Sequence, residues 1–484
     1  MSSPRTLRGS PRVIIPLSLV ALGLAACASS GSGGGAPGTG GSSPGTGGAS
    51  TGGTGTGGGT GGSSATGGSS ATGGITGTGG ATGGTPGTGG QAGGQAGHGG
   101  HGGSAGAGTG GRAGAGGSAS GTGGMPTTGT GGSPSNVDAG TGTMTIPGKG
   151  CTPPAAYNNL FVSVSGHTQA DSDTKVKNAY AALFNPGGSG SIYFNGPGSD
   201  ESYVEDTYNN DVRTEGMSYG MMIALQMDDQ TKFDRLWTFV KNHMANGTGQ
   251  IAWHVSTSGS KLATGGAPDG DEYFATALIF AHNRWGDTSG KYNYATEAQW
   301  ILNMMRTMEF NASNHIVEFV AGSSNTDGSY VLPAFYQVWA CFDTANADFW
   351  NAAVTAGRMF FHNAIDSNGV IGDQSSFTGS TTKGAGSDTI RCVVNIMMDH
   401  NFFDADSWQT DTYATKYGSY ESSHANGVAQ QSCNSTLGFG LPASSGKAFV
   451  DKIWSTNPPS RDYWNGVLYM LGMLHVSGTF HLYY

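Results

Sequence analysis

The chain has 484 residues, and its composition breaks near position 150: none of the 9 Trp, 18 Tyr and 20 Phe lies before that point, whereas 56 of the 88 Gly do. A segment so poor in apolar surface cannot offset its chain entropy and is expected to be disordered. Its charges are confined to Arg5, Arg8, Arg12, Arg112, Asp138 and Lys149, so residues 151–484 carry a formal charge of −14, which argues against a nucleic-acid binder or an enzyme for strongly anionic polymers and favours a neutral substrate.

In chain order, Arg5, Arg8 and Arg12 precede an apolar run from Val13 to Ala26, too short for a comfortable bilayer span and right for the core of a signal peptide. The run ends in Leu24-Ala25-Ala26-Cys27, which resembles the lipobox of bacterial lipoproteins. That resemblance implies removal of residues 1–26, acylation of Cys27 and a lipid-anchored protein of the cell envelope, with each buried methylene contributing roughly 0.8 kcal/mol. An ordinary secretory leader with an incidental Cys is the alternative. Residues 27–148 repeat Gly-Gly-Thr, Gly-Gly-Ser and Gly-Gly-Ala units and read as a flexible tether with a reach on the order of 60 Å. His98 and His101 within it lack the further ligands that a metal site needs.

Beyond 150 the periodicity is helical. Apolar residues recur at three- and four-residue spacing through Met217 to Leu225, Phe233 to Val240, Tyr273 to Trp285, Tyr294 to Phe310, Leu332 to Phe342, Phe349 to Ala364, Ile390 to Phe402 and Tyr463 to His475. Weaker stretches near 171–184, 406–417, 426–436 and 445–454 bring the expectation to about twelve helices in one all-α domain over 149–484. Strand-like alternation is confined to short segments such as Leu160–Val164 and Ile251–Val255. Helical hairpins in this number suggest an α/α toroid; an α-solenoid is the alternative, although no repeated unit is present.

Three acidic clusters stand beside Gly. In Asp211-Val212-Arg213-Thr214-Glu215-Gly216-Met217-Ser218-Tyr219-Gly220, Thr214 is expected as a helix N-cap with Glu215 in the first turn, a purely structural reading. Against it, Gly216 and Gly220 weaken a helix unless something must approach closely. The second cluster is Pro268-Asp269-Gly270-Asp271-Glu272-Tyr273-Phe274, where Asp269 also reads as a cap, and the third is Ser387-Asp388-Thr389-Ile390-Arg391, where Asp388 and Arg391 also read as a local pair. Carboxyls from separate loops with aromatic residues nearby suit glycosidic-bond hydrolysis, in which one protonates the leaving oxygen and the other activates water.

These stretches, with Phe233-Asp234-Arg235-Leu236-Trp237, Ala281 to Gly286 and Leu332-Pro333-Ala334-Phe335-Tyr336, resemble glycoside hydrolase family 8 from about Lys175 to the C-terminus. Their details are most similar to its xylan-acting members, especially the reducing-end xylose-releasing exo-oligoxylanases. The resemblance implies an (α/α)6 barrel and an inverting mechanism, with Glu215 as general acid and Asp388 as general base. It further implies that Asp269 holds the sugar before the scissile bond, that Arg391 supports the base and keeps it ionised, and that Trp253, Tyr463, Tyr336 and His424 contact substrate. Asp269 is expected to raise the proton affinity of Glu215. The His of Ser423-His424-Ala425 matches a cleft-closing segment of the exo-enzymes whereas its neighbours do not, which leaves endo and exo action open.

No metal or cofactor is expected, since His-Glu-x-x-His and phosphate-binding Gly motifs are absent from the sequence. Besides Cys27 there are Cys151, Cys341, Cys392 and Cys433, compatible with two disulfides in any of three pairings or with buried thiols. The expected partner is a β-1,4-linked polysaccharide or oligosaccharide, xylan before glucan or chitosan, acted on by a monomer attached to a membrane through its lipid. A glycan-binding protein on the same fold without turnover is the alternative from another class.

Overall fold

The computed structural model describes residues 150–484 except 155, 247–248, 288–291 and 425–426. The expectations for the leader, Cys27, the tether and its two His fall outside the described residues. Within them, the helices are α1 (Leu160–Ser163), α2 (Gln169–Leu183), α3 (Thr214–Gln226), α4 (Gln230–Phe239), α5 (Pro268–Trp285), α6 (Tyr294–Met308), α7 (Pro333–Phe342), α8 (Ala347–Ala364), α9 (Arg391–Phe403), α10 (Thr415–Glu421), α11 (Val428–Asn434), α12 (Ala443–Ser455) and α13 (Tyr463–Val476).

Burial sorts them into two rings. In α2 only Ser172, Val176, Ala179 and Leu183 are buried, a single stripe at helical spacing that marks an outer helix. In α3 every residue but Glu215 is buried, and α13 is buried almost throughout, the pattern of helices enclosed on all sides. The contacts follow: α3, α5, α7, α9, α11 and α13 each pack against the next, and α13 returns to α3, closing an inner ring. Helices α2, α4, α6, α8 and α12 pack outside it, and α10 completes the alternation along the chain. This is an (α/α)6 barrel, and the four-residue α1 is an addition to its twelve helices. Fully buried Trp237, Trp339 and Trp350 fill the space between the rings.

The strands are short: β1 (Tyr193–Asn195), β2 (Ser202–Val204), β3 (Asp211–Arg213), β4 (His254–Ser256), β5 (Asn325–Thr326), β6 (Gln374–Ser376) and β7 (Thr381–Lys383). Antiparallel β3 and β4 set Arg213 opposite His254 immediately before α3 begins. The strand expected over Leu160–Val164 is instead α1, because the Asn159 side chain accepts a hydrogen bond from the Val162 amide and caps a helical turn. Of the four Cys, Cys151 and Cys341 form a disulfide, whereas Cys392 and Cys433 are buried free thiols.

Candidate active site

Outer helices α2, α4 and α6 begin on capping side chains, those of Thr168, Asp229 and Asn293. Helices α3 and α5 have no side-chain cap, and both carry a carboxylate in the first turn, where the helix dipole favours negative charge. Thr214, expected as the N-cap, is the first helical residue; its amide donates 3.0 Å to the carbonyl of Trp253, so the neighbouring segment does the capping. The Gly positions are required by close packing. A β-carbon on Gly216 would stand 2.3 Å from the ring of Tyr463, one on Gly270 2.6 Å from Cβ of Thr214, and one on Gly220 2.7 Å from Val204.

At the start of α9, Arg391 gathers the three acidic clusters. Its Nη1 lies 2.8 Å from Asp269, 2.8 Å from the Tyr219 hydroxyl and 3.0 Å from Glu215, and its Nη2 lies 3.3 Å from Asp388. The local Asp388–Arg391 pair is therefore one arm of a larger cross-link. Nη1 has two N–H groups for three oxygens, and Glu215 is the most distant of the three. The guanidinium is also flanked by aromatic rings, 5.4 Å from Trp464 and 5.8 Å from Tyr330.

Burial pushes the Glu215 carboxyl up to about 7, opposed by Arg391 and reinforced by the charges of Asp269 and Asp388. Asp269 thus raises the proton affinity of Glu215 as expected, but desolvation is the larger cause. Tyr463 donates a 2.7 Å hydrogen bond to the other Glu215 oxygen, and about 17% of the Glu215 side chain stays open to the pocket. Asp388 departs from expectation: Arg391 does pull its carboxyl down, yet burial outweighs that pull and leaves it above the ordinary range, with Asp269 adding to the rise.

Glu215, Asp269, Asp388, Tyr463 and Trp253 line one pocket with Arg213, Thr214, Ala267 and Trp464. Trp253 stacks on His254 at 4.6 Å, and His254 in turn meets Asp211 at 2.7 Å. Two expected contact residues are elsewhere. Tyr336 is buried in the core, where it donates 2.7 Å to Glu272 and packs against Phe310 and Trp339, and it does not line the pocket that holds Glu215 and Asp388. His424 packs at a tilt against Tyr420, with ring centroids 4.0 Å apart, and lines a separate cavity of about 520 Å³ beside α10 and α12. Tyr219, Tyr330 and Trp464 were missed by the sequence reading; Tyr219, four residues after Glu215 and on the same helix face, is the one whose spacing signalled its place. Among the described residues no group of three or more His, Cys, Asp or Glu is placed to hold a metal ion.

A helical barrel presenting carboxyls in unlike environments around one pocket has the machinery of a glycoside hydrolase. The model for glycosyl hydrolases family 8 matches residues 192–478, and the chain belongs to that family. It is 31% identical over 384 residues to the reducing-end xylose-releasing exo-oligoxylanase Rex8A of Paenibacillus barcinonensis, covering 70% of this chain and 100% of that protein. It is 33% identical over 372 residues to a reducing end xylose-releasing exo-oligoxylanase of Halalkalibacterium halodurans, covering 68% and 95%. A solved Rex8A variant complexed with xylose superposes with a TM-score of 0.64 at 29% identity, over 68% of this chain and 98% of that one.

Proposed function

We propose that the enzyme hydrolyses β-1,4 bonds of xylan or xylo-oligosaccharides with inversion, Glu215 acting as general acid and Asp388 as general base. The observation that carries this is the placement of both carboxyls on different nitrogens of Arg391, with Glu215 holding its proton up to about 7. Inversion needs the carboxyls about 6.5–9.5 Å apart to admit a water, and here Glu215 and Asp388 are held by separate nitrogens of Arg391. Asp269, held by the same guanidinium and lining the same pocket, is positioned to bind a sugar hydroxyl. Glu215 protonates the departing glycosidic oxygen while Asp388 takes a proton from the attacking water. Trp253 and Trp464 offer flat faces to pyranose rings. The xylose-releasing relatives support xylan over glucan as substrate. Proton NMR of the first products decides the stereochemistry: α-anomers at the new reducing end are expected, and initial β-anomers reject inversion and the role given to Asp388.

The envelope location rests on Leu24-Ala25-Ala26-Cys27, whose resemblance to a lipobox would place the lipid on Cys27. Cys27→Ser is expected to release the protein from membranes or block its maturation; unchanged membrane fractionation of a fully processed variant refutes the anchor.

A further inference from the structure

Beyond Tyr463 and Trp464, which form a shared wall, the catalytic pocket is followed by a groove of about 650 Å³. Its lining includes Tyr208, Asn209, Gln430, Arg461, Asp462 and Asn465. Pockets of about 300–1,000 Å³ hold ligands larger than one sugar ring. The side-chain amides of Asn209, Gln430 and Asn465 already donate within the protein, and their oxygens, with two lone pairs each, keep acceptor capacity suited to the hydroxyls of a neutral glycan.

Tyr208 is the anomaly in this groove. It is 70% exposed, the most exposed of the large apolar side chains among the described residues, in a barrel that buries most of its aromatic rings. A lone exposed ring is ordinary on a mobile surface, but the turn bearing Tyr208 is tightly built. The Asp206 carboxylate accepts the backbone amides of Tyr208 and Asn209 at 3.1 and 3.2 Å and the Asn209 side-chain amide at 2.7 Å, and it pairs with Arg213 at 3.1 Å. The Asp206 carbonyl accepts the Asn210 amide at 2.7 Å, with Asn210 in the left-handed region at φ 57°. Thr207 donates 2.6 Å to the carbonyl of Arg461 and ties the turn to another wall of the groove. A rigid turn thus holds an aromatic face out in water beside a polar groove that shares a wall with the catalytic pocket.

We infer that this groove is a second stretch of the glycan cleft, in which Tyr208 is the platform for a sugar ring bound beyond the catalytic pocket. The inference rests on the xylan reading for its sugar and adds a selectivity for chain length. A ring stacked on Tyr208 is present in a long oligosaccharide and absent from a short one, so the binding it supplies reaches the transition state only for long substrates. Because the turn is already fixed by Asp206 and Arg461, little conformational entropy is lost on binding.

The test is the ratio of kcat/KM on xylohexaose to that on xylotriose. Tyr208→Ala is expected to lower this ratio about tenfold, and Tyr208→Trp, which keeps a flat face, to restore it to within about twofold of the parent. An unchanged ratio, or an equal fall on both substrates, overturns the platform. Circular dichroism and the thermal midpoint of Tyr208→Ala separate this from misfolding, and a parallel loss of both kcat/KM values with a lowered midpoint also counts against the proposal. If the parent enzyme cleaves cello-oligosaccharides and leaves xylo-oligosaccharides intact, the substrate reading fails while the same ratio on cellohexaose and cellotriose still tests the groove.

Discussion

Gly216 makes room for Tyr463: a β-carbon at position 216 would stand 2.3 Å from the ring whose hydroxyl donates to Glu215 at 2.7 Å. Gly216→Ala is therefore expected to displace Tyr463, costing about 1–3 kcal/mol through overpacking and lowering kcat through loss of the hydrogen bond to Glu215. Gly384→Ala, where a β-carbon meets nothing within 4 Å, is the control. Thermal melts with kcat on xylohexaose check both, and equal behaviour of the two variants contradicts the argument.

The two carboxyls set a pH profile. In the proposed mechanism Glu215 acts protonated and Asp388 ionised; the Glu215 carboxyl is raised to about 7, so kcat/KM is expected to fall as pH rises through about 7. Asp388 is itself raised, so the acid limb lies above the range of an ordinary Asp, and the bell is narrow. Glu215→Gln should lower turnover by roughly 10²–10⁴ and abolish the alkaline limb in the residual rate; Asp388→Asn should lower it similarly and abolish the acid limb. Residual rates that keep both limbs move the acid and base to other residues.

Arg391 is buried among anions, and its removal leaves them uncompensated. Arg391→Met is expected to destabilise the domain by about 3–5 kcal/mol at neutral pH and to raise the pKa of Glu215 further. Arg391→Lys keeps the charge but cannot bridge Asp269 and Asp388 through separate nitrogens, so it should preserve more stability than activity. Urea midpoints and the alkaline limb of kcat/KM in the two variants test this.

Tyr336→Phe separates a structural Tyr from a substrate contact. Losing the donor to buried Glu272 should cost about 1–3 kcal/mol, with KM for xylohexaose changed less than about twofold at a temperature where the variant is folded. A large rise in KM with unchanged stability would return Tyr336 to the cleft.

Stability itself should fall between mildly acidic and mildly alkaline pH. Burial raises Glu215 and Glu309 from 4.5 to about 7 and Asp327 from 3.8 to about 8. A folded state that holds these protons more tightly than the unfolded chain has its full advantage below about 4 and loses it as pH rises to about 8. The thermal midpoint at pH 5 should therefore exceed that at pH 8, and Glu309→Gln should flatten the difference; a midpoint that rises across this window contradicts the sign.

Sequence alone determined what depends on near neighbours. Three- and four-residue apolar spacing reports the face that a helix buries, which is why α3, α5, α7, α9 and α13 were legible together with the barrel class, while α1 was misread because a five-residue apolar stretch does not distinguish a strand from a capped turn. Glu215 stood out because Gly216 and Gly220 carry a local cost in a helix, whereas Asp269 and Asp388 read locally as a cap and an ion pair and were raised only by the resemblance of their stretches to a family of glycosidases. The Cys151–Cys341 pairing, across 190 residues, had no local signature. Neither did the burial of Tyr336, the rigid turn under Tyr208, nor the reach of Arg391 to carboxylates 122 and 176 residues away. Those relations exist only once the inner ring closes, because closure brings helix starts distant in the chain around one guanidinium, and burial in that dry space then decides which carboxyl keeps its proton.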